Sequence, residues 1–152
     1  IKVKGVTEER PLYGSEYVTR ARLGQGSFRV LVTELYNRQC AITQERTLPV
    51  LDAAHIKPYG KSGPHKINNG LLLRTDLHKL FDLGYITITT DFHVEVSKCI
   101  KEEYENGRDY YALHGKELNL PSNNLYLPSY EYIEWHNQQV RSIAPYHPVI
   151  AN

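Results

Sequence analysis

Four side chains near the middle of the chain could share one reaction: His55, Asn69, His78 and Asp82. An imidazole that titrates near neutrality can take a proton from water. A His and a carboxylate four residues apart on a helix, as His78 and Asp82 would be, project from the same face. Such a pair can hold one divalent metal whose remaining shell is water or phosphate oxygen. A metal beside a phosphodiester neutralises the charge that develops as the bond breaks and stabilises the leaving oxygen. An Asn can pin a loop with both its amide and its carbonyl. Singly, each residue has an ordinary explanation, a satisfied histidine or a solvated helix carboxylate. The joint spacing singles them out.

The surrounding sequence must bring these groups together. Leu48 to Ile56 is apolar and bounded by Pro49 and Pro58, so it reads as a strand that ends near His55. Tyr59 to Asn69 is rich in Gly, Pro, Ser, Lys and Asn and reads as a loop. Leu71, Leu72 and Leu73 lead into Thr75, an expected N-cap for a short helix through Leu77, His78 and Phe81 that Gly84 ends. Tyr85 to Thr90 and His93 to Ser97 read as a strand pair, Lys98 to Asn106 as a charged helix, Lys116 to Leu120 as a further strand and Pro128 to Ile143 as a C-terminal helix. Upstream, Phe28, Leu31, Val32, Leu35 and Tyr36 form a helical stripe with Ser27 as its cap. Gly24-Gln25-Gly26 before it reads as a loop that could present amides at a helix start.

The run AAHIKPYGKSGPHKINNGLLLRTDLHKLFDLGYITIT, residues 53–89, resembles the HNH nuclease family, also called the ββα-metal fold. Pro58 lies three residues after His55, Asn69 lies nine before His78, and a strand follows the helix. The resemblance extends upstream through RLGQGSFRVLVTELYNRQCAITQERTLPVL and downstream through NGRDYYALHG and EWHN. Over about residues 20–140 it is similar to the C-terminal nuclease domain of bacterial restriction-type proteins. It implies an α+β fold: a ββα-metal core with an additional N-terminal helix, a following strand pair and C-terminal helices. It also implies a metal-dependent DNA endonuclease with one Mg²⁺ or Mn²⁺. His55 would be the general base, Asn69 would hold the loop and orient that base, His78 would bind the metal, and Asp82 would stand where some members have a third ligand. The alternative is a non-catalytic DNA-binding or interaction module on the same fold.

The chain departs from the family pattern in two places. Many members carry Asp or His immediately before the base, and here that residue is Ala54. Asp52 is the nearest carboxylate, but strand alternation puts it on the face opposite His55, so it ranks below Asp82. Many members also carry Cys-x-x-Cys knuckles. Here the corresponding positions are Cys40, Thr43, Arg74 and Leu77, so structural zinc is not expected and apolar packing must hold the core. His114 and His136 read as structural, and His65, His93 and His147 as surface residues.

The 152 residues suit one domain with a core of its own. The formal net charge of +1 conceals an uneven distribution. Over residues 1–30, Lys2, Lys4, Arg10, Arg20, Arg22 and Arg29 stand against Glu8, Glu9 and Glu16. Over residues 55–79, Lys57, Lys61, Lys66, Arg74 and Lys79 stand against Asp76 alone. Residues 95–117 are acidic on balance. Arg22, Arg29, Lys57, Lys61, Lys66, Arg74 and Lys79 are the expected contacts to the phosphates of double-stranded DNA, which position the duplex without reading its sequence. Two cysteines, Cys40 and Cys99, build neither a disulfide framework nor a four-Cys zinc site, and a cytoplasmic setting is the expectation. No apolar run approaches the ~20 residues of a membrane span. Residues 1–22 are expected to be an arm or linker, 23–143 the nuclease domain and 144–152 a tail. The chain starts at Ile1 and contains no Met, from which a larger protein is expected, with its target-recognition domain elsewhere and a homodimer to cut both strands.

Overall fold

The computed structural model describes the backbone of residues 14–143 and the side chains of residues 24–141. The rest of the expected arm and the whole expected tail lie outside the described residues. The first element, α1, runs Gly14–Leu35 and passes straight through Gly24-Gln25-Gly26. Ser27 is therefore an interior helical residue rather than a cap. The helix is held by what its lower half buries: Phe28, Val32 and Tyr36, spaced by four, form one covered face. Asn37 and Arg38, both with positive φ, end it.

That face packs on a hairpin. Strands β1 (Leu51–His55) and β2 (Gly70–Arg74) pair antiparallel, with Leu51 opposite Arg74 and His55 opposite Gly70. Sequence reading takes Leu71–Leu73 as a lead-in to a helix, yet these residues form a strand. Covered on both sides, a strand reads as a continuous apolar run rather than an alternating one. Gly70 lets α1 approach: a Cβ there would lie 2.6 Å from Val32 Cγ2 and 2.9 Å from Phe28 Cζ. The Tyr36 hydroxyl closes the same contact by donating to the Gly70 carbonyl at 2.9 Å. Leu48–Val50, expected to begin the strand, instead form a 3-10 turn before it.

Helix α2 (Thr75–Leu83) follows β2 directly and buries Leu77 and Phe81. Thr75 is its first residue and not its cap; its hydroxyl donates to the Val50 carbonyl, tying the helix start back to the 3-10 turn before β1. Gly84 ends the helix as expected, at φ 87°, with its N–H donating to the Leu80 and Phe81 carbonyls. A second antiparallel pair, β3 (Ile86–Ile88) and β4 (Val94–Val96), comes next. Lys116–Leu120 contributes a single bridge, Glu117 to His93, rather than a strand. Helices α3 (Cys99–Tyr104), α4 (Arg108–Tyr111) and α5 (Tyr130–Ile143) complete the described chain. The architecture is α+β with two small antiparallel sheets. Among the described residues no helix is long and apolar enough to cross a membrane.

Two polar groups inside the core are fully used. His136 on α5 stacks on Phe81 (3.7 Å between centroids), bonds the Phe81 carbonyl at 2.9 Å through Nε2 and meets the Thr87 hydroxyl at 2.7 Å through Nδ1. Burial pushes its pKa down to about 4, so it is a neutral structural histidine. Cys40 is buried, and its Sγ accepts from the backbone N–H of Ile42, Thr43 and Arg74, each at 3.4 Å. A thiol thus organises this turn.

Candidate functional site

Asn69 is the anchor of the long connection between β1 and β2. It is 0% exposed. Its Oδ1 accepts from the Lys57 N–H at 2.9 Å, while its Nδ2 donates to the carbonyls of Lys57 at 2.9 Å and Pro64 at 3.0 Å. Its own carbonyl accepts from the Ile56 N–H at 2.9 Å. Asn69 therefore clasps the two ends of the loop and holds the residues just beyond His55.

His55 lies at the end of β1, half-buried, with its ring stacked on Phe28 of α1 at 3.9 Å and 9°. Its Nε2 is 2.9 Å from Nδ1 of His65. Burial is the main cause that pushes its pKa down to about 4, with the charges of His65 and His78 adding to it and Asp82 opposing. The imidazole is neutral at physiological pH and can accept a proton. His65, read from sequence as a surface residue, is instead a partner of His55.

His78 sits between two carboxylates. Nδ1 donates to Asp52 Oδ2 at 3.0 Å, and Nε2 lies 3.2 Å from Asp82 Oδ2 one turn along α2. The hydrogen bond to Asp82 is the largest cause that raises the His78 pKa to about 8, against the effect of burial; Asp52 adds to it. Asp52 thus also engages His78, on the ring nitrogen opposite the one beside Asp82, a contact the sequence reading does not make. It does point away from His55, as alternation requires, but α2 folds back across that other side of β1 and carries His78 there. Among the described residues His55 bonds His65 and His78 bonds Asp52, and the two histidines act on each other only through charge. The expected constellation is therefore two adjacent clusters, His55–His65 against α1 and Asp52–His78–Asp82 against α2.

The second cluster opens to a cleft of about 710 Å³ that also carries Arg74, Asp76 and Lys79. Arg74, expected to contact phosphate, is engaged by Asp76 through two hydrogen bonds, Nε to Oδ1 at 2.7 Å and Nη2 to Oδ2 at 3.0 Å. The Tyr110 hydroxyl also donates to Asp76. Lys79 is exposed at the cleft edge. Lys57 is half-buried with its ammonium 5.6 Å from the Trp135 ring centroid. Arg29, Lys61 and Lys66 are exposed. The Arg22 side chain lies outside the described residues. Ala54, immediately before His55, is fully buried.

Could this site hold a metal? His78 Nε2 and Asp82 Oδ2 supply one imidazole nitrogen and one carboxylate oxygen at the cleft, a set that suits a divalent cation keeping water or phosphate oxygens in its other positions. Asp52 sits on the opposite ring nitrogen, where a carboxylate typically orients a ligating histidine. Among the described residues no group of three or more His, Cys, Asp or Glu side chains stands as a closed metal cage. The donor set fits an open site and not an all-protein one.

Known proteins bear on this geometry. No curated protein sequence matches the chain. A solved structure titled "Modification dependent TagI restriction endonuclease" shares the fold, with a TM-score of 0.51 and 22% identity over 77% of this chain. The chain spans only 38% of that protein's length. Residues 40–89 match the family described as HNH endonuclease, and that span takes in the Cys40 turn, the β1–β2 hairpin, α2 and every residue from Asp52 to Asp82 placed above.

Proposed function

We propose that the chain is a metal-dependent DNA endonuclease domain of the HNH type, with β1, β2 and α2 as its ββα-metal unit. The observation that carries this reading is the pairing, inside the HNH-matching span, of a neutral, half-buried His55 with a cleft where His78 stands beside Asp82. His55 takes a proton from the water that attacks phosphorus. Asn69 clasps the loop and thereby sets the end of β1 on which His55 stands. His78 Nε2 and Asp82 would hold one Mg²⁺ or Mn²⁺. Asp52 accepts the His78 Nδ1–H, which leaves Nε2 as the ligating atom. When bound, the cation supplies charge neutralisation at the scissile phosphate and its leaving 3′ oxygen. Lys57, Lys61, Lys66, Lys79 and Arg29 position the duplex; Arg74 does so only if Asp76 releases it.

The same proposal includes a restriction-type parent protein of cytoplasmic location, a target-recognition domain outside this chain and a homodimer for double-strand cutting. The fold neighbour's title extends it to a parent that responds to modified DNA. Nicking of supercoiled plasmid should require a divalent metal and disappear in His55→Ala and His78→Ala; cutting that persists in His55→Ala refutes the assignment. The buried Ala54 favours a second reading, a DNA-binding module without cleavage. That reading requires salt-dependent duplex binding with no calorimetric metal binding that His78→Ala removes.

A further inference from the structure

His65 has no part in the chemistry proposed above, yet its surroundings are unusually constrained. Its Nδ1 lies 2.9 Å from His55 Nε2. Its ring stacks on Tyr59 at 4.3 Å and 7°. Helix α1 presses on its other edge at Gly24, where a Cβ would come within 2.1 Å of His65 Cδ2. Only a glycine in α1 leaves room for the ring. Its Nε2 is buried and, among the described residues, has no hydrogen-bond partner. An unsatisfied buried polar atom is disfavoured and calls for a reason to be retained.

We propose that His65 is the positioning residue of the general base: its Nδ1 accepts the Nε2–H of His55, which locks the His55 ring and keeps Nδ1 of His55 free. The inference rests on His55 being that base. In the opposite arrangement His65 would donate to His55 Nε2, and both His55 nitrogens would then be occupied, one by its own proton and one by this bond. Only the proposed tautomer leaves a lone pair to take a proton. When His55 Nδ1 takes that proton from water, the hydroxide goes to phosphorus. The resulting imidazolium keeps its Nε2–H on His65, with no proton moved between the rings. His65 in this state must carry its own proton on Nε2, the buried atom that has no partner among the described residues. The stacking of Tyr59, the packing at Gly24 and the contact of Phe28 on His55 hold the two rings against that cost.

Two measurements on the 152-residue chain test this. Long-range ¹H–¹⁵N NMR correlations on the metal-free chain near neutral pH should show His55 protonated on Nε2 and His65 bonded through an unprotonated Nδ1. The reverse tautomer pair overturns the proposal. In plasmid cutting, His65→Leu keeps bulk beside Tyr59 and Gly24 but removes the acceptor; it should lower kcat about 100-fold with KM unchanged, the size of a small misplacement of a catalytic group. His65→Asn should restore most of kcat, because the Asn Oδ1 sits as many bonds from Cα as the His Nδ1 does. Full kcat in a folded His65→Leu protein, or no rescue by His65→Asn, overturns the proposal. A wild-type chain that cuts no DNA in Mg²⁺ or Mn²⁺ but shows the expected tautomers refutes the nuclease reading while keeping the His65–His55 bond.

Discussion

Replacing Asn69 by Ala removes the clasp that joins both ends of the β1–β2 connection. Three side-chain hydrogen bonds vanish at once, to the Lys57 N–H, the Lys57 carbonyl and the Pro64 carbonyl. At about 1 kcal/mol each they sum to about 3 kcal/mol. Water offers little compensation, because the site they leave is fully buried. Urea unfolding followed by circular dichroism should show the midpoint fall with the slope unchanged. The melting temperature should drop by about 6–12 °C for a domain of this size. Amide exchange at Lys57 should quicken roughly a hundredfold, since that N–H loses its acceptor. Asn69→Asp should be worse still: the carboxylate can accept from the Lys57 N–H, but it faces two carbonyl oxygens with no proton to offer. A loss below 1 kcal/mol in Asn69→Ala, with Lys57 exchange unaltered, would refute the clasp as the device that sets His55.

The remaining expectations concern charge and packing. His78 has a folded pKa of about 8 against 6.5 in the unfolded chain, so its imidazolium stabilises the metal-free fold below pH 6.5, and that contribution disappears as pH rises through 8. The difference in unfolding free energy between wild type and His78→Gln should therefore shrink from about 1–2 kcal/mol at pH 6 to near zero above pH 9; a pH-independent difference contradicts it. His136, held near 4, works in the other direction: its contribution is present above pH 6.5 and lost as pH falls toward 4, so acid unfolding should begin earlier in wild type than in His136→Gln once each is referenced to its own neutral stability. Gly70→Ala should cost about 1–3 kcal/mol in denaturant, because the new methyl collides with Val32 and Phe28; a neutral effect would mean that α1 does not sit on β2 as described. Lys79→Ala should reduce the slope of log affinity against log salt for duplex DNA by about 0.9, one phosphate contact, and an unchanged slope removes Lys79 from the interface.

Much of the site could be read from residue order because its parts are local. His78 and Asp82 share a helix turn, Asn69 closes a loop that begins near His55, and Gly84 stops the helix that carries the pair. Asp52 and His65 are hidden because their roles depend on contacts between distant segments. Asp52 ranked low because strand alternation says which side of β1 it faces and not which helix covers that side; α2 does. His65 looked like an exposed loop residue because nothing in a Gly-Pro-rich stretch announces the Gly24 groove of α1 or the Tyr59 ring against it. Leu71–Leu73 looked like a helix lead-in because a strand buried on both faces loses the alternation that marks strands. Ser27 looked like a cap because the two glycines before it break the pattern, although the helix continues through them to Gly14. Arg74 reads as a free cation in the sequence, but Asp76, two residues along, binds it.

The Cys40 turn has a use that its role as a brace conceals. Its sulfur is buried, holds three amides and ties the end of α1 to Arg74 at the junction of β2 and α2. A thiol reagent reaches it only in the moments when that seam parts. The rate of Cys40 labelling is therefore a clock for the opening of the hairpin-and-helix unit, one that ticks without touching the cleft and reports, chain by chain, how long His55 and His78 stay in register.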